Sequence, residues 1–264
     1  CCSEITMRYV LLAIMLTITS PSWAGIGTVA ENKGSACEIQ RGKSKLPGAK
    51  GADIETMDTY TTGACSASIT FKDDTKVKVT ENSRLLIDDF VFDPKQSDAG
   101  KLAIKVGMGT VRYASGQIAK NNPQQVAINT PTATVTVRGT DFTMTVDESG
   151  QSLVVLLPSC RDDKDVKKYE LEENKCKVGK IDVSTGVGTV TLDQAFEATY
   201  VTSFSQPPTP PVVVNTVEAK INNNLILAKP QEVQRAIKDA GKTKKEELEE
   251  ELEAEAARRL ANMV

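Results

Sequence analysis

Residues 129–142 read Asn-Thr-Pro-Thr-Ala-Thr-Val-Thr-Val-Arg-Gly-Thr-Asp-Phe, which packs a turn, an alternating strand, a glycine break and the start of a second strand into one short stretch. Pro131 restricts Thr130 to extended conformations. From Ala133 to Val137 the β-branched residues favour a pleated strand. Arg138-Gly139 interrupts that strand, and Thr140 to Val146 resumes it, with Asp141 and Phe142 at its beginning. Arg138 reads as a structural fork: a planar group with five donors, three residues from Asp141, suits a crowded turn where it bridges backbone carbonyls and the carboxylate. The alternative role for Arg138 is a cation that binds a ligand. If Gly139 takes a positive φ, a side chain at that position is disfavoured.

On either side of this stretch the same kind of signal repeats. Short β-branched runs occur from Ile69–Phe71 through Leu102–Val106 and Thr110–Tyr113 to Leu153–Leu157, separated by Gly, Pro, Asn and Asp. Such spacing predicts an all-β core, a compact sandwich or short β-solenoid of short strands, rather than βαβ units. Residues 160–176 form a charged excursion that does not meet the EF-hand spacing and reads as a solvated hairpin tip. Strands resume at Lys180–Val183, Val187–Leu192 and Phe196–Val201.

The stretch at 129–142 resembles the signature of the FecR domain, the β-rich periplasmic module of ferric-citrate-regulator-type proteins: Thr-Pro, a short strand, then Arg-Gly-Thr-acidic-Phe. Further matches lie upstream at Ser68–Thr75, Ser83–Ile87 and Gly107–Arg112. The resemblance spans residues 50–157. Where the family often has Gly, this chain has Asp74, which must then supply left-handed geometry in a tight turn. The resemblance implies a stack of short antiparallel strands. FecR-type regulators relay the state of an outer-membrane receptor to a cytoplasmic sigma factor through a membrane helix and a cytoplasmic segment, and neither part is read in this sequence. The resemblance therefore implies a non-enzymatic exported module of the FecR-domain-only type that binds or scaffolds through protein contacts. Envelope signalling or sensing is the second reading and an enzyme the third.

Arg8, the apolar run Val10–Ile18 and the stretch Ser20–Ala24, with small residues at the usual cleavage positions, predict a secretory signal over residues 7–24, preceded by upstream residues 1–6 and cleaved before Gly25. That run is too short for a stable membrane anchor. A periplasmic or secreted location follows. Cys37, Cys65, Cys160 and Cys176 then remain, an even set in a compartment where disulfides persist. Three connectivities are possible. Pairing Cys37 with Cys65 and Cys160 with Cys176 closes two local loops and is the favoured one. The chain contains no His, which removes Ser–His and Cys–His nucleophiles and weakens any metal site. Gly107-Met108-Gly109 lacks the third glycine of a dinucleotide loop, so no cofactor is expected. The adjacent carboxylates Asp73-Asp74 and Asp88-Asp89 should point to opposite faces of a strand and not share one site. A net charge of −3 offers no field for nucleic acid.

These signals divide the chain into a β-domain at 25–203, a Pro-rich linker at 204–211 and a helical extension at 212–264. In the extension, Thr243–Glu246 matches a capping box, and Leu248, Leu252 and Leu260 form a narrow apolar stripe on an acidic helix. The stripe must bury against its own β-domain, against a protein partner or sister chain, or fray. Attachment to a partner or self-association is the expected role.

Overall fold

The computed structural model describes residues 25–96, 99–160 and 176–213. The expected signal at 7–24, the charged excursion between the second pair of cysteines and the chain after Val213, with Leu248, Leu252 and Leu260, lie outside the described residues. The expected helical extension from 212 is corrected at its start, where Val212–Val213 form a strand.

The chain runs through β1 (Gly27–Gly34), β2 (Cys37–Arg41), β3 (Ser44–Pro47), β4 (Asp53–Ile54), β5 (Thr59–Thr62), β6 (Cys65–Phe71), β7 (Lys76–Val79), β8 (Arg84–Val91) and β9 (Lys101–Ala114). A short helix α1 (Gln117–Asn121) and a 3-10 turn follow. Then come β10 (Val126–Asn129), β11 (Thr134–Arg138), β12 (Asp141–Val146), β13 (Ser152–Leu157), β14 (Ser159–Cys160), β15 (Cys176–Lys177), β16 (Lys180–Ser184), β17 (Thr189–Leu192), β18 (Glu197–Val201) and β19 (Val212–Val213).

Two sheets share one strand. The first runs β4-β1-β6-β7-β9-β12-β13-β18-β19 and the second β3-β2-β5-β8-β9-β10-β11-β16-β17. The N-terminal part of β9 pairs with β8 and β10, and its C-terminal part pairs with β7 and β12. The strand changes sheets at Gly107-Met108-Gly109, where Gly109 has φ +91°. The sequence reading divides β9 into two strands at these glycines. The structure shows one continuous strand, because the glycines bend the backbone without ending its ladder. Ile69, Val77, Val111 and Phe142 of the first sheet meet Leu85, Ile104, Val135 and Ile181 of the second in one buried core. Neither sheet closes into a barrel among the described residues.

The chain also departs from purely antiparallel stacking, since β10 runs parallel to the first half of β9, with Val126 opposite Leu102 and Asn129 opposite Lys105. A parallel return needs a crossover. Helix α1 provides it, tethered where Gln117 N–H donates to the Asp73 carbonyl (2.7 Å) and Ile118 N–H to the Asp73 carboxylate (3.2 Å). Asp74 takes φ +66° in the β6–β7 turn, the left-handed geometry its position demands. The expectation for Asp88-Asp89 is corrected. A bulge between Ile87 and Asp89 breaks the alternation of faces, so Asp88 pairs with Lys105 (3.0 Å) and Asp89 with Lys101 (2.8 Å) on one face of β9.

Both disulfides join the cysteines of the favoured pairing, Cys37 to Cys65 and Cys160 to Cys176. The first ties β2 of one sheet to β6 of the other, and the second closes the β14–β15 ribbon. The Pro-rich segment runs alongside β18. Thr209 N–H donates to the Tyr200 carbonyl (2.9 Å), Tyr200 N–H donates to Thr209 Oγ1 (2.9 Å), and Val212–Val213 adds the two-residue strand β19 to that edge.

Candidate functional site at the β10 to β12 crossing

The motif residues divide into two polar clusters, one at each end of β11. At its start, Pro131 fixes a tight turn in which Thr130 N–H donates to the Ala133 carbonyl (2.8 Å) and Ala133 N–H donates back to Thr130 Oγ1 (2.9 Å). The buried Thr132 hydroxyl donates to the Gly150 carbonyl (2.9 Å) and lies 2.8 Å from Ser152 Oγ, while Ser152 Oγ donates to Thr130 Oγ1 (2.7 Å). Three hydroxyls thus fasten the β10–β11 hairpin of the second sheet to the β12–β13 hairpin of the first.

At the other end, Gly139 takes φ +66° and turns the chain from β11 in the second sheet to β12 in the first. Thr140 is fully buried. Its hydroxyl accepts from Gly179 N–H (3.2 Å), and its carbonyl accepts from Ser115 Oγ (2.6 Å). Asp141 accepts from Ser159 Oγ (2.8 Å) and lies 3.5 Å from the Arg112 guanidinium. Burial raises the Asp141 carboxyl above its usual range, against the opposing pull of Ser159 and Arg112. Phe142 is buried and stacked on Tyr113 with centroids 5.3 Å apart. The Tyr113 hydroxyl is buried without a hydrogen bond of good geometry, and although the Thr75 and Ser115 hydroxyls pull the other way, that burial drives its ionisation far upward.

Arg138 does not bridge Asp141. Its guanidinium points away from the break and donates to Asp182 on β16 (2.8 Å), with the side chain 58% exposed. The reason is register. Arg138 lies directly opposite Lys180 on β16, which puts Asp182 on the same outward face, whereas Asp141 belongs to the other sheet. The cation that does face Asp141 is Arg112 on β9, opposite Thr143. No local spacing identifies Arg112, because its partnership arises from pairing strands far apart in sequence. An exposed pair is worth little, so Arg138→Ala should lower stability by only about 0.2–1 kcal/mol. Gly139→Val should lower it by about 1–2 kcal/mol through backbone strain alone, since a Cβ there meets nothing closer than the Ala119 carbonyl at 3.9 Å. Urea denaturation of both variants checks the order.

Elsewhere a shallow groove of about 440 Å³ lies along β1, β6 and β7, lined by Glu31, Lys33, Ser66, Ser68, Lys78 and Glu81. It reaches β7, whose Lys78 lies directly opposite Arg112 on β9. Its charges are of both signs, and it holds no cluster of metal-ligating side chains; none occurs among the described residues.

Residues 58–158 match the family model described as FecR protein, so this part of the chain is a FecR domain. The match begins just before β5 and ends after β13, and it contains the motif residues of both polar clusters. Two solved structures described as candidate anti-sigma factors from Parabacteroides distasonis ATCC 8503 are similar to it. One is 11% identical with a TM-score of 0.42, covering 60% of this chain and 60% of its own. The other is 12% identical with a TM-score of 0.40, covering 60% of this chain and 62% of its own. The match thus spans about three fifths of those chains. No curated protein matches the chain.

Proposed function

We propose that this chain is an exported, non-enzymatic FecR-domain protein that binds or scaffolds through protein contacts. The observation that carries the reading is the use made of the motif's polar groups. Thr130, Thr132, Thr140 and Asp141 are all bonded to groups of the protein itself, so the signature builds the crossing between two sheets rather than a reaction centre. Export is supported by two disulfides, which persist in oxidising compartments, and by the signal-type sequence at 7–24. No helix among the described residues is long and apolar enough to cross a membrane. The FecR domain itself favours a second reading, a sensory or signalling module of the envelope.

In this proposal the described residues form the folded body, and the segment after Val213, with Leu248, Leu252 and Leu260, attaches it to a protein partner or sister chain. Pull-down of exported full-length protein against its L252D/L260D variant tests this, alongside a chain ending at Val213, which keeps β19. The partner should be retained by the wild type and lost from both altered forms, while the shortened chain still melts cooperatively. Retention of the partner by the double variant, or loss of the cooperative melt on truncation, would overturn the proposal.

A further inference from the structure

Among the described residues the four sheet edges are not equally protected. On one side of the second sheet, β3 carries Lys45, follows Lys43 and ends at Pro47, features that discourage strand addition. In the first sheet, Ala52 and Gly51 bond to Val29 at the outer edge of β1, a bulge follows at Val29/Glu31, and Glu31 and Lys33 add charge. The opposite edge, β18, is covered by Thr209 and β19. The remaining edge is β17, Thr189-Val190-Thr191-Leu192, which has no charge, no proline and no bulge.

Its hydrogen-bonding phase can be read from the adjoining turn. Thr185 N–H donates to the Gly188 carbonyl (2.8 Å), which makes 185 and 188 a hydrogen-bonded pair. Antiparallel pairs alternate. Val183/Val190 and Ile181/Leu192 are therefore also bonded pairs, and Ser184/Thr189 and Asp182/Thr191 are not. The N–H and C=O of Thr189 and Thr191 consequently point away from β16, and both residues are exposed. Beside them Val187 is 62% exposed and Phe204 is 57% exposed.

We propose that β17 pairs with β17 of a second copy of this chain, antiparallel about a two-fold axis through Val190. In that register Thr189 of each copy lies opposite Thr191 of the other. All four outward N–H groups then find outward carbonyls, and threonine meets threonine across the strands. The strand is thus complementary to itself. No charge lies within it, and a net charge of −3 adds little long-range repulsion. A four-residue strand buries less than the roughly 800 Å² per partner of a standard interface, so the dimer is weak and depends on concentration. This contact is independent of the attachment segment proposed above.

Sedimentation velocity of the full-length exported chain over a wide concentration range tests it, together with hydrogen exchange at the Thr189 and Thr191 amides. Thr191→Pro removes an outward donor that makes no bond among the described residues, and edge strands tolerate proline at such a position. Thr189→Lys leaves the backbone intact and adds an edge charge, so a folding failure of the proline variant would not end the test. The wild type should dimerise as concentration rises, with both amides gaining protection, and each variant should dimerise about tenfold more weakly or worse. Three results would overturn the inference: a wild type that stays monomeric throughout, a dimer unchanged in both variants, or amides already protected in the monomer, where another part of the chain covers the edge. A dimer lost in L252D/L260D yet kept in Thr191→Pro would overturn it as well, while leaving the proposed attachment segment standing.

Discussion

Replacing Gly109 with valine should lower stability by on the order of 4–6 kcal/mol, the range reached only when backbone strain and steric conflict combine. Gly109 holds φ +91° at the point where β9 passes from one sheet to the other. A Cβ there would collide with Ser83 Oγ and come within 2.5 Å of Ser83 Cα and Cβ. Ser83 cannot step aside freely, because its N–H donates to Thr62 Oγ1 (2.8 Å) and its hydroxyl accepts from Thr110 N–H (3.2 Å). Gly107→Ala is the internal control. Its Cβ would meet only the Arg84 carbonyl, at 3.9 Å, and Gly107 is not among the residues with positive φ, so a change within about 1 kcal/mol is expected. Equal losses from the two substitutions in urea melts would show that the corner does not depend on Gly109's conformation.

Phe142→Ala should cost about 3–5 kcal/mol, the usual consequence of emptying a fully buried aromatic site. Phe142 is the second residue of β12 after the strand break and stacks on Tyr113 of the shared strand, so its ring fastens the motif to β9. Phe142→Leu keeps most of the volume and should cost roughly 1.5 kcal/mol or less. Chemical denaturation followed by far-ultraviolet circular dichroism measures both. A Phe142→Ala protein as stable as the wild type would mean that the signature phenylalanine is there for something other than packing.

Much of this architecture is legible in the local sequence. Pro131, the β-branched run after it and the break at Gly139 read correctly as turn, strand and break, because each depends on the backbone preferences of the residue in place. The left-handed demand on Asp74 is visible for the same reason. What cannot be read depends on residues distant in sequence. Finding the Arg138 partner requires knowing that β16 lies beside β11, and finding the cation that faces Asp141 requires knowing that β9 lies beside β12. The strands from β1 to β5 carry weak signals, since Lys, Glu, Ser and Gly interrupt their apolar positions and disulfide and tertiary pairing compensate. The parallel β9–β10 pairing is hidden because a five-residue helix gives almost no periodic signal.

A strand common to two sheets also bears on how the molecule opens. If each sheet had its own central strand, one layer could lose its structure while the other survived, and partial opening would be inexpensive. Here, breaking β9 away from β8 and β10 strips the second sheet, and breaking it away from β7 and β12 strips the first. The strand's two halves are also covalently continuous through Gly107–Gly109. The layers should therefore open as a single cooperative unit, and amides along the paired length of β9 are expected to exchange with global unfolding rather than in two separate stages.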